Sequence, residues 1–461
     1  MAQSTTYLSK TYSGNGNRNK GTISVWCKFA DTGASADSTI FGAGNYANDS
    51  DCTFLCINPN GFGGTTTRKI SFILRIGGGT VYKAESNALL KDVNGWYHIV
   101  VRWDTTLGTP NCDIYLNGEE VSYSSNTWSS ISQNTNTYIG SSAQPHYIGR
   151  GYYCDAMKNN YYEGSMSHFH YCDGYYYDAS SFGSTDSTTG EWKINTSPSV
   201  SYGTNGFWFF KDDSALTDQS PNSNSYSLTA GTLTKTEDCP SNVFATLNPL
   251  DGHIAHMVFS HGNNTVDNNT AAKKAYATST IGMSSGKYYF EAKDITNANW
   301  QSIGISDRPS PSDTFELGYG TYDYSYQNGD GNKLNSGNIT SYGNSYTTND
   351  IIGCAVDLDN LKIYFSKNGV WQNSGDPTSG STGTGAAFTI TAPSSTSSGF
   401  YFLCVADATA ANSSKWSANF GNGYFGTTAV SSAGTNASNN GIFEYDVPTG
   451  YTALSTKGLN L

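Results

Sequence analysis

The 461-residue sequence predicts an all-β protein built from two β-sandwich domains in tandem. The composition points there first: 33 Tyr and 50 Gly, with abundant Ser, Thr and Asn, against only 13% charged residues. Aromatic and β-branched residues suit strands, and Gly and Asn suit tight turns, whereas helices draw on Ala, Leu, Glu, Lys and Arg. No long stretch repeats its apolar positions every 3.6 residues, while many short runs alternate with period two. The strand pattern also stops near residue 196 and restarts near 251, and the chain is longer than one compact core supports.

The strand candidates of the first half come in order. Gly21 to Ala30 places Ile23, Val25, Cys27 and Phe29 on one face, and Ile70 to Ile76 repeats the alternation. Trp96 to Trp103 is denser in apolar residues and reads as a central strand covered on both faces. Asp113 to Val121 contains Asn117-Gly118, a strong two-residue hairpin signal. Thr137 to Gly140 and Gly164 to Tyr171 complete the set, with Trp26, Phe72, Trp96, Ile99, Val101 and Tyr115 expected on the inner face. In order and spacing, TISVWCKF, GWYHIVVRWD, DIYLNGEEV, YIGR and EGSMSHFHYCDG resemble the laminin-G-like, concanavalin A-like jelly-roll family over residues 1–195.

Residues 196–250 read as a packed connector. A polar, turn-rich stretch, Asp218 to Asn224, follows an aromatic run, Phe207 to Phe210, and Pro240 and Pro249 bracket a short extended segment. From 251 to 428 the segments GKYYFE, IGI, DIIGCAVDLDNLKIYFSKNG and NFG resemble the SPRY family. Leu358-Asp359-Asn360 and Asn368-Gly369 read as tight turns, Asp350 and Gly353 shape the entry to a buried strand, and Tyr322, Tyr324 and Tyr326 share one core-facing strand face. The SPRY resemblance implies a bent β-sandwich that binds protein partners through loops at one end. Residues 429–461 are a Ser/Asn-rich tail whose Ile442, Phe443, Tyr445 and Val447 are expected to pack back on the second domain.

Charge and cysteine usage narrow the function. A net charge of -12 with Lys and Arg scattered singly offers no basic stripe for nucleic acid. The opening MAQSTTYLSK lacks a basic region followed by an apolar one, and no run of about 18 apolar residues occurs, so neither a secretory signal nor membrane insertion is expected. The nine cysteines, several inside strand patterns, read as reduced structural thiols; Cys52 and Cys56 lack a second pair with zinc-ligand spacing. Assembly in a reducing cytoplasm follows from that usage.

A jelly roll that hydrolyses glycans needs two carboxylates projecting into a cleft, and no E-x-D-x-E strand is present; Glu119, Glu120 and Glu163 read as solvated. His168 and His170 lie two apart on one strand, as metal ligands do, but their aromatic neighbours favour a structural role. No nucleophile elbow or phosphate-binding glycine loop appears. The chain is therefore expected to be no enzyme, with no cofactor. Calcium is an open possibility, since laminin-G-like domains often carry one ion at the sandwich rim, and Asp49, Asp51 and Asp155 offer oxygen ligands in polar loops. For glycan binding the candidates are Tyr152, Tyr153, Tyr161, Tyr162, Tyr175, Tyr176 and Tyr177, whose alternative role is packing between domains or subunits.

YLSKTYSGNGNRNKGTISVWCKF, DGYYYDASSFGSTDSTTGEWKI, YGTNGFWF and ATLNPLD resemble segments that recur in virion proteins of marine tailed phages. That resemblance implies a non-enzymatic component of the virion surface: a capsid decoration or tail-associated appendage held by other virion proteins. The alternative is a tail-fibre adhesin that binds host-surface glycans, with a polysaccharide depolymerase as a third reading. The absence of heptads or β-helical repeats shifts weight from a fibre shaft to a compact appendage. A homotrimer is expected from the usual symmetry of phage appendages.

Overall fold

The structure is a computed structural model that describes residues 5–30, 38–44, 51–57, 68–77, 79–151, 161–211, 216–251, 253–268, 274–297, 300–407 and 414–460. The chain divides into two compact units, Met1–Lys235 and Thr236–Leu461. Both are almost wholly β, and no described helix is long and apolar enough to cross a membrane.

In the first unit an eight-stranded and a six-stranded antiparallel sheet face each other. The six-stranded sheet centres on Lys20–Phe29, flanked by Tyr97–Asp104 and Gly164–Asp173. Because successive side chains alternate faces, Ile23, Val25 and Cys27 enter the core with Ile99, Val101 and Ile114. The opposing sheet contributes Phe41, Phe72 and Leu74, and the ring of Phe72 lies 5.2 Å from that of Trp103. Asn117 and Gly118 both take positive φ, 49° and 86°, as the expected hairpin turn requires.

The inner-face expectation holds for Phe72, Ile99 and Val101 and fails for Trp26 and Tyr115. Trp26 is out of phase with Val25 and Cys27, and Tyr115 with Ile114, so both project from the outer face. That face is itself buried. Residues 174–202 fold over it and enclose Val100, Tyr115, Cys172, Ala179, Phe182 and Tyr202, with Trp192 and Trp208 packed alongside. The strand Tyr97–Asp104 is thus covered on both sides, as its apolar density predicts.

Histidines rivet this layer. His98 stacks on Trp26 with ring centroids 4.8 Å apart, and its Nδ1 accepts the indole N–H of Trp192 at 2.9 Å. Its Nε2 lies 2.8 Å from Ser24 Oγ. His170 Nδ1 lies 2.9 Å from the Tyr202 hydroxyl. In the opposing eight-stranded sheet, His146 Nε2 accepts Gly140 N–H at 2.8 Å. Burial pushes His98 and His146 down to about 3 and lowers His170 strongly. All three are held neutral.

Part of the expected connector belongs to this unit, which takes two strands from it. Phe207–Phe209 pairs with Phe169 to Tyr171, and Ser227–Ala230 pairs with the strand Tyr7–Lys10. The expected strand at Thr137 to Gly140 is instead a turn segment, pinned by single bonds from Thr137 N to Arg18 O and from Tyr138 N to Thr53 Oγ1.

The second unit pairs a nine-stranded with a six-stranded sheet. Tyr288, Phe290 and Ala292 of Lys287–Thr296 face the core with Cys354, Val356, Tyr324 and Tyr326, and Tyr322 packs partly buried against them. The outer face of the nine-stranded sheet carries Tyr289, Ala355 and Tyr364, and the last segment of the chain covers it with Phe443, Val447, Tyr451 and Ala453. Thr452–Ala453 runs parallel to Tyr288 and Tyr289, and Ala245 N–H bonds to Leu454 O, so this unit's first and last segments are paired.

Glu291, fully buried beside Tyr289, fixes the tail. Its carboxylate accepts the backbone N–H groups of Glu444 and Tyr445 at 2.8 and 2.9 Å and the Tyr289 hydroxyl at 3.0 Å. Burial holds its carboxyl up near 7 against the pull of these donors. Burial likewise raises Asp251 and Asp294 to about 6. The eight described cysteines are free, seven of them buried.

Two outcomes follow from the packing. A Cβ at Gly353 would stand 2.5 Å from Ser366 Oγ and 2.7 Å from the Tyr289 hydroxyl, so Gly353→Ala should destabilise the second unit by about 1–3 kcal/mol in urea titration. The units should also respond oppositely to pH between 5 and 7. The depressed histidines stabilise the first unit fully above about 6.5 and lose that contribution as pH falls, at about 1.4 kcal/mol per pH unit for each histidine. The raised carboxyls stabilise the second unit below about 4 and lose that contribution as pH rises through 6 and 7. Hydrogen exchange read peptide by peptide separates the two, and parallel pH profiles would contradict this account.

Candidate functional site

The tyrosines singled out from the sequence do not form one surface. Tyr152 and Tyr153 lie outside the described residues, as do Asp49 and Asp155. Tyr162 is buried, and its hydroxyl bonds to the carbonyls of Lys28 and Ser165 at 3.0 and 2.9 Å, so it offers no ring face to a sugar. Tyr161 is half-buried with Tyr7, 6.1 Å between centroids, and the Arg150 guanidinium lies over both rings at 5.5 and 4.6 Å. Tyr147 adds a third ring 6.0 Å from Tyr7.

Tyr175, Tyr176 and Tyr177 follow the other end of Gly164–Asp173, a ten-residue strand of about 33 Å. Tyr175 is exposed and stacks on Tyr177 at 5.6 Å, and Tyr177 accepts Ser201 N–H. Tyr176 is committed to structure: its hydroxyl donates to Asp113, and Arg102 lies 4.4 Å over its ring while pairing with Asp113 at 2.9 Å. Among the described residues of the candidate set, ring surface is therefore split between Tyr161, in a cluster with Tyr7 and Tyr147, and the Tyr175–Tyr177 stack.

The carboxylates and histidines singled out from the sequence take ordinary structural places. Among the described residues no group of three or more His, Cys, Asp or Glu side chains could hold a metal ion. Asp51 accepts Gly77 N–H at 2.9 Å, an ordinary loop-closing bond. His168 and His170 both lie near Trp208, across a bulge that gives His168 a φ of 45°. Glu119 and Glu120 are exposed.

The second unit presents a different arrangement at one end. The turns after Lys287–Thr296, Tyr324–Gln327 and Asn338–Ser341 meet there: Asn297 N–H bonds to Thr348 Oγ1, Tyr346 N–H to Asn328 O, and Asn349 N–H to Asp294 O. Trp300 stands among them, 41% exposed with a φ of 72°. A large aromatic residue in left-handed backbone is an outlier of the kind that gathers at functional surfaces. No motif in the sequence singles out Trp300. A lone tryptophan in the polar run Asn297 to Gln301 was the available signal.

Comparison with known proteins agrees with the two units. Residues 3–173 match the model of the concanavalin A-like lectin/glucanases superfamily, and residues 287–400 match the SPRY domain. The chain thus carries laminin-G-like and SPRY sandwich domains in tandem. These families are mostly non-catalytic binding domains. Among curated relatives, Ran-binding protein 10 of Danio rerio is 34% identical over 112 residues, 24% of this chain and 18% of that protein. The ATP-dependent RNA helicase DDX1 of Xenopus laevis is 34% identical over 95 residues, 20% of this chain and 12% of that protein. The chain therefore spans less than a fifth of either relative. Among solved structures, the SPRY domain of human HERC1 is 20% identical, covering 37% of this chain and 96% of that one, at a TM-score of 0.30. The CBM40 of Ruminococcus gnavus IT-sialidase bound to α2,3-sialyllactose is 16% identical, covering 34% and 89%, at 0.24.

Trp300 provides a direct test of whether strain at this end serves the fold. Glycine adopts positive φ without penalty, so Trp300→Gly should leave the urea midpoint of the second unit unchanged or raise stability by up to about 1 kcal/mol. A loss above 1 kcal/mol would make the indole a packing element.

Proposed function

We propose that this chain is a non-enzymatic recognition protein of a virion surface, a decoration or tail-associated appendage that docks other virion proteins through the loop end of its second unit. The exposed, strained Trp300 at the meeting of three turns carries that reading, because an indole held out of the core offers a large rigid contact at low entropic cost. The virion assignment draws its support from the phage-like segments YLSKTYSGNGNRNKGTISVWCKF, DGYYYDASSFGSTDSTTGEWKI, YGTNGFWF and ATLNPLD.

A second reading is host attachment through glycans at the first unit. Tyr7, Tyr147 and Tyr161 around Arg150, and the Tyr175–Tyr177 stack, supply the aromatic faces on which sugars pack. The chain is further proposed to act as a homotrimer without cofactor or nucleic-acid partner.

Immunogold labelling should place the chain on intact particles, and light scattering should give three copies per assembly. The full chain should capture proteins from disassembled particles, with capture reduced at least tenfold by Trp300→Ala. A Tyr161→Ala or Tyr175→Ala loss on a host-glycan array would favour attachment; silence on that array with intact protein capture leaves docking alone. Capture indifferent to Trp300 overturns the docking surface.

A further inference from the structure

The cover on the first unit is attached unevenly. Residues 175–178 are tied down by several bonds: Thr22 Oγ1 donates to Tyr175 O and accepts Tyr177 N–H, both at 2.8 Å, Tyr176 donates to Asp113, and Asp178 pairs with Arg102 at 3.3 Å. Beyond them the attachment is sparse. Among the described residues, the hydrogen bonds that side chains of residues 179–202 make to the sheet end on His98, from Trp192, and on His170, which the Tyr202 hydroxyl meets at 2.9 Å. The Phe182 and Tyr202 rings lie beside His170, with centroids 5.3 and 6.1 Å away. The hairpin inside this stretch, Gly183–Thr185 with Trp192–Ile194, pairs with no other described strand, so it can lift without breaking a ladder.

The bond to His98 admits one protonation state. An indole nitrogen only donates, so the Trp192 N–H at 2.9 Å needs the lone pair of Nδ1 and leaves the ring proton on Nε2, 2.8 Å from Ser24 Oγ. A second proton would stand on Nδ1, facing the indole N–H. The seat is tight, since a Cβ at Gly118 or Gly183 would lie 2.3 or 2.6 Å from the Trp192 ring, so the indole cannot sidestep that clash while the hairpin stays down. Among the described residues no carboxylate bonds to either histidine: Ser24, Trp26 and Trp192 surround His98, and Phe182, Tyr202 and Trp208 surround His170. The remaining charges do not help. His168 couples to both rings and disfavours their protonation, Lys28 shares the outer face with Ser24 and Trp26, and Lys211 lies over Trp208. Glu191 and Lys193 alternate away from Trp192, Lys193 pairs with Asp186 at 2.8 Å, and Glu119 and Glu120 are exposed. Burial keeps the Cys172 thiol and Tyr202 hydroxyl protonated and neutral.

We infer that residues 179–202 form an acid-released cover: protonation of His98 and His170 lifts this stretch from the six-stranded sheet while the sandwich beneath stays folded, baring Val100 and Cys172. Both rings lie on the outer face of the sheet, so lifting the cover leaves the inner core intact. Both sit below their ordinary value of 6.5 while covered, so their hold is complete above about 6.5 and weakens as pH falls. Uncovering restores the ordinary value, which favours the lifted state about thirtyfold per histidine at pH 5 over pH 7.5.

Cys172, buried in the cluster under the cover, reports its release. The full chain is treated with 4,4′-dithiodipyridine, which thiols open at both pH 5 and pH 7.5, and the modified peptides are followed by mass spectrometry. Dividing the Cys172 rate by that of Cys239, the half-buried cysteine of the second unit, removes the pH dependence of the thiol chemistry itself. The ratio should rise by about thirtyfold or more from pH 7.5 to pH 5, while Cys27 and Cys112 of the inner core stay unmodified. His98→Gln, whose amide oxygen accepts the indole N–H at either pH, should cut that rise by about tenfold or more. Trp192→Phe, which removes the donor and keeps an aromatic ring, should speed Cys172 at pH 7.5 and reduce its gain from acid. An unchanged ratio, Cys27 and Cys112 reacting in step with Cys172, or a full rise in both variants overturns the inference.

Discussion

A β-sheet has two faces, and in each unit at least one sheet has both of them buried. That constraint organises the chain. The six-stranded sheet of the first unit carries Val100, Tyr115 and Trp208 on its outer face, and the nine-stranded sheet of the second carries Tyr289, Ala355 and Tyr364. Apolar area of that extent, at about 25 cal/mol per Å², does not stay in water. Residues 174–202 cover the first face, and the last segment of the chain covers the second.

The covers are attached by buried polar bonds. Trp192 can donate to His98 only while that imidazole is neutral, and two successive amides converge on the carboxylate of Glu291. Buried polar contacts of this kind contribute modest net stability, yet leaving one unmade is costly, so they fix where each cover sits.

The division between cover and surface also sorts the tyrosines. Tyr162 and Tyr176 serve the fold through their hydroxyls, whereas Tyr161 and Tyr175 keep ring surface outside it. Sequence adjacency concealed this. Tyr161 and Tyr162 are neighbours with opposite roles, the first in an isolated bridge with Arg150 and the second turned onto the carbonyls of Lys28 and Ser165.

Composition and alternation by themselves determined the all-β class, the division into two sandwich domains, the central strand Tyr97–Asp104 covered on both faces, and the turns at Asn117-Gly118 and Asn368-Gly369. These depend on local periodicity and backbone preference, which a sequence carries directly. The two families were legible only through resemblance of their motifs. The tertiary structure decided which face each large aromatic takes, sending Trp26 and Tyr115 outward, and turned residues 207–209 and 227–230 into strands of the first unit. It also placed Trp300 among three turns. Those outcomes follow from contacts between residues far apart in sequence, whose partners no local pattern specifies.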